Sequence, residues 1–252
     1  MSFRWGFVLP LAVTQLVSWG SLYYAFTVIV APMSAELGWS SPAVNGALSA
    51  GLAATGLASP FMGRIIDAHG GRFVMTAGST AAIGLLLAWS SVRELWHLYA
   101  VWIAMGVVFS SVLYEPVFAV IARELGADYR RGIITITLFG GLASTVFIPL
   151  THFLVEAMGW RSALWVLAAL QLPFGVLTHG LTLRNKKGSR LAVMQSAAIA
   201  PGRVMRAMAQ PVFWLLALSY AAHAFMFTGL TFHIIPLLSE RGFSLPIIVA
   251  AY

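Results

Sequence analysis

The sequence has no cysteine and few charged residues, and both shortages limit the kinds of chemistry and of binding site that the chain can form. Without cysteine there are no disulfides, no thiolate nucleophiles and no cysteine-ligated zinc sites. Charged side chains make up only 9% of the chain. His-Glu-x-x-His, Gly-x-Ser-x-Gly and glycine-rich phosphate-loop motifs are also missing. We therefore expect no enzymatic activity, no bound metal, no cofactor and no step driven by ATP.

Apolar residues dominate the chain instead. They make up 60% of it, and the mean hydropathy is +0.86, which is far above the value of an ordinary soluble domain. Runs of about 20 apolar residues cross a bilayer as helices, because only helices satisfy their own backbone hydrogen bonds in lipid. We predict an all-α membrane protein with spans at approximately residues 6–31, 42–62, 73–92, 97–122, 132–157, 162–183 and 210–235, and an eighth beginning near Leu245.

The basic residues lie between the apolar runs rather than on one soluble surface. With the N-terminus in the cytoplasm, twelve of the 15 lysines and arginines fall on the cytoplasmic side, as the positive-inside rule requires. This bias accounts for the net charge of +7 without a polyanionic partner. We expect a multi-pass protein of the cell or cytoplasmic membrane, in contact with lipid and not with nucleic acid.

An internal repeat indicates how the spans are grouped. Residues 32–42 read PMSAELGWSSP and residues 236–246 read PLLSERGFSLP, an offset of 204 residues with five identical positions and one shared aromatic. Such a repeat predicts two parallel halves of about six spans each. We expect an N-terminal six-helix bundle at 1–183, a cytoplasmic linker at 184–209, and the truncated start of a C-terminal bundle, one or two helices long, at 210–252.

The stretch GRIIDAHGGR, residues 63–72, concentrates charge and glycine between the second and third spans. Gly63 ends a line of small residues spaced four apart, a face that lets another helix approach closely. Gly70 can adopt the positive φ that a tight reversal between helices needs. Asp67 places an anion at the membrane surface, where arginines or a helix N-terminus can accept it. A plain solvated turn remains the alternative interpretation.

The pattern Gly63, Asp67, Gly70 and Arg72 resembles the loop between helices two and three of the major facilitator superfamily. The resemblance implies an MFS-type bundle and a secondary transporter whose halves rock around a central site, taking a small molecule and drawing energy from protons or the substrate gradient. It also implies that Asp67 and Arg72 help to hold the cytoplasmic side closed, with Arg64 or Arg123 as partner. Ala68 stands where the family often has a basic residue, which weakens that prediction.

The segment DYRRGIITITLFGGLAS resembles the entry to helix five in monocarboxylate-transporter-like members of that superfamily. The aromatic residue, the paired arginines and one glycine fit, whereas Ile134, Ile136 and Leu138 replace the small residues expected there. The resemblance implies a symporter of a monocarboxylate or similar organic anion, and we expect a monomer. Drug or metabolite efflux within the superfamily, and a seven-span receptor or scaffold outside it, are the alternatives.

Polar residues inside the spans are candidates for handling substrate or protons. Glu115 is the one acidic residue within a span, where a lone carboxylate costs at least about 2.5 kcal/mol unless it faces a cavity or a partner. The next residue, Pro116, removes a backbone donor and predicts a local kink. A structural hydrogen bond is the alternative role for this carboxyl group.

The resemblance adds cavity candidates, because helices one, four and seven line the central cavity in that family. On this basis Tyr23, Tyr24 and Thr27 on span one are candidates, with Gln15 further in, and His223 and His233 on span seven could bind protons or an anion. Aromatic packing and satisfied buried histidines are the alternative interpretations.

Overall fold

The computed structural model describes residues 3–183, 203–243 and 247, and within them it contains helices and no strand. The predicted eighth span and most of the predicted linker lie outside the described residues. The chain divides into two compact units, Met1–Lys187 and Gly188–Tyr252.

Six long helices build the first unit. Helix α1 is Trp5–Leu37, α2 is Ser41–His69 and α3 is Gly71–Ser90. Helix α4 has two parts, Leu95–Val112 (α4a) and Tyr114–Leu125 (α4b), which meet at Leu113. Helix α5 consists of Tyr129–Gly141 followed by residues 143–158. The stretch Ala143–Gln171 turns at Gly159 (φ 79°), which separates α5 from α6. Helix α6 comprises residues 160–171, a π-helical turn at Leu172–Leu177 and a last segment at Thr178–Thr182.

Four stretches of the described residues are long and apolar enough to cross a membrane: Trp5–Leu37, Gly71–Ser90, Leu95–Thr182 and Pro211–Ile235. The third is 88 residues long and contains the breaks at Leu113 and Gly159, so it holds several helices. Helix α2 is absent from this set because glycine, alanine and serine replace large apolar residues along it. An all-α membrane fold is therefore confirmed.

Helix pairing brings α2 against α4a, α1 against the first part of α5, and α3 against both α4a and α6. One buried cluster joins Phe7 and Leu11 of α1 to Val117 and Ile121 of α4b. Because successive helices run antiparallel, Arg4, the α2–α3 loop and the end of α4b share one side, here named the N-terminal face. The α1–α2 and α3–α4 connections lie on the opposite face.

The second unit contains a short helix, Arg203–Met208, and the long helix α7, Pro211–Glu240. The end of α7 repeats the end of α1 at the offset of 204 residues. Gly38 and Gly242 both have positive φ, 69° and 87°. The N–H of Trp39 donates to the carbonyl of Ser34 at 3.2 Å, and the N–H of Phe243 donates to that of Leu238 at 3.2 Å. The repeated sequence therefore forms the same left-handed helix termination twice.

Candidate functional site

The loop between α2 and α3 is joined to the end of α4b by an ion pair. Nη2 of Arg123 contacts Oδ1 of Asp67, and Nη1 of Arg123 donates to the carbonyl of Ile66 at 3.3 Å. The Asp67 and Arg123 side chains are 43% and 42% exposed, respectively. The sequence offered Arg64 and Arg123 as partners of Asp67, and the structure pairs Asp67 with Arg123. The guanidinium of Arg64 instead lies 5.9 Å from the centre of the Phe61 ring.

Two glycines give this loop its shape. Gly70 has φ 84° and ψ 160°, a conformation that side chains disfavour, and its N–H donates to the carbonyl of Ile66 at 2.9 Å. Gly71 packs so closely against Val120 that an added Cβ would overlap the valine side chain. The pair of glycines therefore ends α2 and brings α3 directly onto α4b.

Gly63 and Arg72, the other two residues of the loop motif, make no such contacts. A Cβ added at Gly63 would have no heavy atom within 4 Å. Arg72 is exposed, and it forms no ion pair with any residue that the structure describes. Both lie on the N-terminal face near Asp67, but the ion pair is formed without them.

The close helix approach expected along α2 lies further from the loop than Gly63. A Cβ on Gly106 of α4a would overlap the carbonyl oxygen of Gly51 on α2, and a Cβ on Gly51 would meet the carbonyl oxygen of Trp102. Gly51 belongs to the small-residue line seen in the sequence. Its partner Gly106 was missed, because a single glycine in an apolar run carries no signal of its own.

Glu115 lies directly beyond the break in the fourth helix. Leu113, with φ −82° and ψ −149°, separates α4a from α4b, and Glu115 occupies the first turn of α4b. Its side chain is exposed, and it has no hydrogen bond or ion pair with the residues described here. The predicted kink therefore exists, and the carboxylate projects away from the packed interior of the first unit.

Tyr23, Tyr24 and Thr27 are buried, and they lie in or just after a π-helical turn of α1 at Trp19–Tyr24. The two tyrosine rings meet edge to face at 5.3 Å, and the Trp19 ring lies 4.9 Å from that of Tyr114. The hydroxyl of Thr27 donates to the carbonyl of Tyr24 at 2.7 Å. These side chains form an aromatic cluster on the helix next to the α4 break.

His223 and His233 both lie on α7 in the second unit, and both are exposed. The imidazole of His223 stacks on the ring of Phe227, with centroids 6.3 Å apart. Neither histidine has an ion pair among the residues that the structure describes.

A polar cluster on the opposite face was not predicted. Arg161 at the start of α6 bonds to Glu36 at the end of α1, and Trp160 donates from its indole N–H to the same carboxylate at 2.6 Å. In the sequence, Glu36 stands out only as a residue of the internal repeat. The repeat does not identify Arg161 or Trp160 as its partners.

Comparison with known proteins agrees with this bundle of membrane helices. The sequence matches the model of the Major Facilitator Superfamily over residues 11–252. Monocarboxylate transporter 13 of Rattus norvegicus is 30% identical over 177 residues, which are 67% of this chain and 38% of that protein. The protein of the same name from Bos taurus gives the same values. Monocarboxylate transporter 11 of Mus musculus is 30% identical over 142 residues, 52% of this chain and 30% of that protein.

The chain therefore belongs to the major facilitator superfamily and is an integral membrane protein. It spans less than two fifths of the length of these relatives. The family points to a transporter of small molecules rather than to an enzyme or a receptor.

Proposed function

We propose that the full-length protein is a proton-coupled secondary transporter of a monocarboxylate or similar organic anion. Its two halves, of which residues 1–183 form the first, alternate access to a central site by rocking against each other. The names of the relatives support the substrate class, since all three are monocarboxylate transporters. We also propose that the protein is a monomer in the cell membrane with its N-terminus in the cytoplasm. The distribution of basic residues supports that orientation.

The observation that carries the proton-coupling proposal is the position of Glu115. A carboxylate within a membrane helix is costly unless it meets water, a partner or a proton. In the first unit Glu115 is exposed at a helix break and has no partner among the described residues. A group placed in this way takes up a proton from one side and releases it to the other as water access alternates.

The substrate anion needs a polar or cationic environment near the middle of the membrane. The helices of residues 5–182 carry their arginines at or near their ends, so the described part of the first half offers no arginine or lysine at mid-membrane. We propose that His223 and His233 of α7 contribute the positive charge when protonated. The cluster of Tyr23, Tyr24 and Thr27 is buried within the first unit and supports the part of α1 that the substrate passes.

We also propose that Asp67 and Arg123 are part of the cytoplasmic gate. The ion pair lies on the N-terminal face, and more than two fifths of each side chain is still accessible. Both side chains are therefore accessible on the face that we assign to the cytoplasm. Gly70 ends α2 and shapes the loop that carries Asp67, and Gly63 and Arg72 flank that loop on the same face.

Reconstitution of the full-length protein into liposomes tests this function. An inward proton gradient should drive uptake of radiolabelled lactate or pyruvate, and a protonophore should abolish the accumulation. Uptake that ignores the proton gradient would contradict proton coupling. If neither acid is carried while a neutral or cationic solute is exported, the substrate proposal is wrong and efflux is the better description.

A further inference from the structure

Pro116 leaves a backbone carbonyl without its normal partner inside the fourth helix. In a continuous helix the carbonyl of Val112 would accept a hydrogen bond from the N–H four residues later. That residue is Pro116, which has no N–H. The helix breaks at Leu113, and the carbonyl of Val112 needs another donor because an unpaired carbonyl in an apolar interior costs several kcal/mol.

The missing donor comes from another helix. Nε2 of Gln15, on α1, donates to the carbonyl oxygen of Val112 at 2.7 Å. Gln15 and Val112 are both fully buried, so water does not compete for this bond. The amide of Gln15 thus donates to the carbonyl that the N–H of residue 116 would serve in an unbroken helix, although Gln15 lies 97 positions away from Val112 in the sequence.

We propose that Gln15 is a positioning residue that fixes the α4 break and thereby sets the direction in which Glu115 projects. The proposal rests on the function proposed above, in which Glu115 carries the proton. Val112 and Glu115 are separated by Leu113 and Tyr114, so the bond from Gln15 holds the last turn before the carboxylate. The same bond makes α1 and the Glu115 segment of α4 move together.

Pro116 makes the proposal unusually testable, because the donor can be restored within the chain. Gln15→Met keeps the length of the side chain and removes the donor. Pro116→Ala supplies a backbone N–H to the carbonyl of Val112. If Gln15 acts through that carbonyl, the effect of Gln15→Met should largely disappear when Pro116→Ala is present in the same full-length protein.

The first measurement needs no substrate. Residues 1–252 contain no cysteine, so Glu115→Cys introduces the one thiol in this part of the chain, and its labelling rate with a maleimide reports how residue 115 is held. Gln15→Met should change that rate roughly tenfold, the effect of one lost buried hydrogen bond. In a protein that already carries Pro116→Ala, Gln15→Met should change the rate by less than about twofold, because the carbonyl of Val112 then has a backbone donor. Ser18→Ala, a buried residue on the same helix, is the control and should leave the rate unchanged.

The second measurement connects the bond to transport. With Glu115 intact, Gln15→Met should reduce proton-driven net uptake of radiolabelled lactate roughly tenfold and leave lactate exchange nearly unchanged. In a protein that already carries Pro116→Ala, adding Gln15→Met should leave net uptake nearly unchanged. A residue with a merely structural role would reduce net uptake and exchange by the same factor.

The outcomes separate this proposal from the proposed function. Equal labelling with and without Gln15→Met would overturn the positioning role whatever Glu115 does. An equally large effect of Gln15→Met with and without Pro116→Ala would overturn it too. Loss of net uptake and exchange in parallel would also overturn it. Normal proton-driven uptake by Glu115→Gln would instead contradict the proposed function, while the labelling experiment would still decide whether Gln15 holds the break.

Discussion

Arg161 donates two hydrogen bonds to one carboxylate oxygen of Glu36, from Nε at 3.1 Å and from Nη2 at 2.9 Å. The same guanidinium donates to the carbonyls of Ser90 at 2.6 Å and Val92 at 3.0 Å. It therefore satisfies carbonyls at the C-terminal end of α3 while it holds the end of α1. One side chain joins three helices on the opposite face, which is a geometry that the planar guanidinium suits.

We expect Arg161→Ala to destabilise the purified full-length protein by about 1–3 kcal/mol, because it leaves two helix-end carbonyls and one carboxylate oxygen of Glu36 without their donor. Arg161→Lys should recover little, since an ammonium group does not reproduce the forked bonds. The measurement is the thermal unfolding midpoint in detergent. Arg93→Ala is the control, because Arg93 lines the same surface pocket and should change the midpoint little. Equal midpoints for all variants would contradict this structural role.

The ion pair between Asp67 and Arg123 gives a second prediction. Asp67→Asn and Arg123→Gln should each increase labelling of a cysteine introduced near the cytoplasmic end of the cavity, by roughly twofold to fivefold, since exposed ion pairs contribute about 0.2–1 kcal/mol. The double variant should label no faster than either single one if the two groups act together. Asp128→Asn, an exposed acidic residue on the same face, serves as the control. Unchanged labelling would favour a solvated turn without a gating role.

The contact between α2 and α4a gives a third prediction. Gly106→Ala places a methyl group against the carbonyl oxygen of Gly51, and because the obstacle is backbone, the helices must separate. We expect a loss of about 1–3 kcal/mol, measured as a lower unfolding midpoint or a lower yield of monodisperse protein. Gly84→Ala on α3 is the matched control, because its added Cβ has no heavy atom within 4 Å. Similar behaviour of the two variants would show that the close approach is not needed.

Much of the fold was predictable because lipid makes apolar run length a direct structural signal. The predicted span at 6–31 is a helix at Trp5–Leu37, and the predicted span at 73–92 is a helix at Gly71–Ser90. The internal repeat predicted two matching helix ends. Glycine is favoured where φ is positive, and the repeated glycines Gly38 and Gly242 both end a helix with positive φ.

The contacts that position the candidate site were not predictable in the same way. Neither the bond from Gln15 to Val112 nor the pairing of Gly51 with Gly106 follows from local pattern, because each depends on which helices become neighbours. Arg161 and Glu36 are 125 residues apart in the sequence. The sequence identified Glu115 and Pro116 as unusual, but the residue that compensates for the proline became visible only once α1 was packed against α4.

The role of Glu115 is the central claim, and Glu115→Gln tests it most directly. The variant removes the titratable group and keeps the size of the side chain, and Glu94→Gln, an exposed acidic residue before α4a, is the control. Radiolabelled lactate uptake is measured in liposomes containing the full-length protein, once under an inward proton gradient and once as exchange against internal lactate. We predict that Glu115→Gln abolishes gradient-driven uptake and retains exchange, whereas Glu94→Gln retains both. Undiminished gradient-driven uptake by Glu115→Gln would contradict the account.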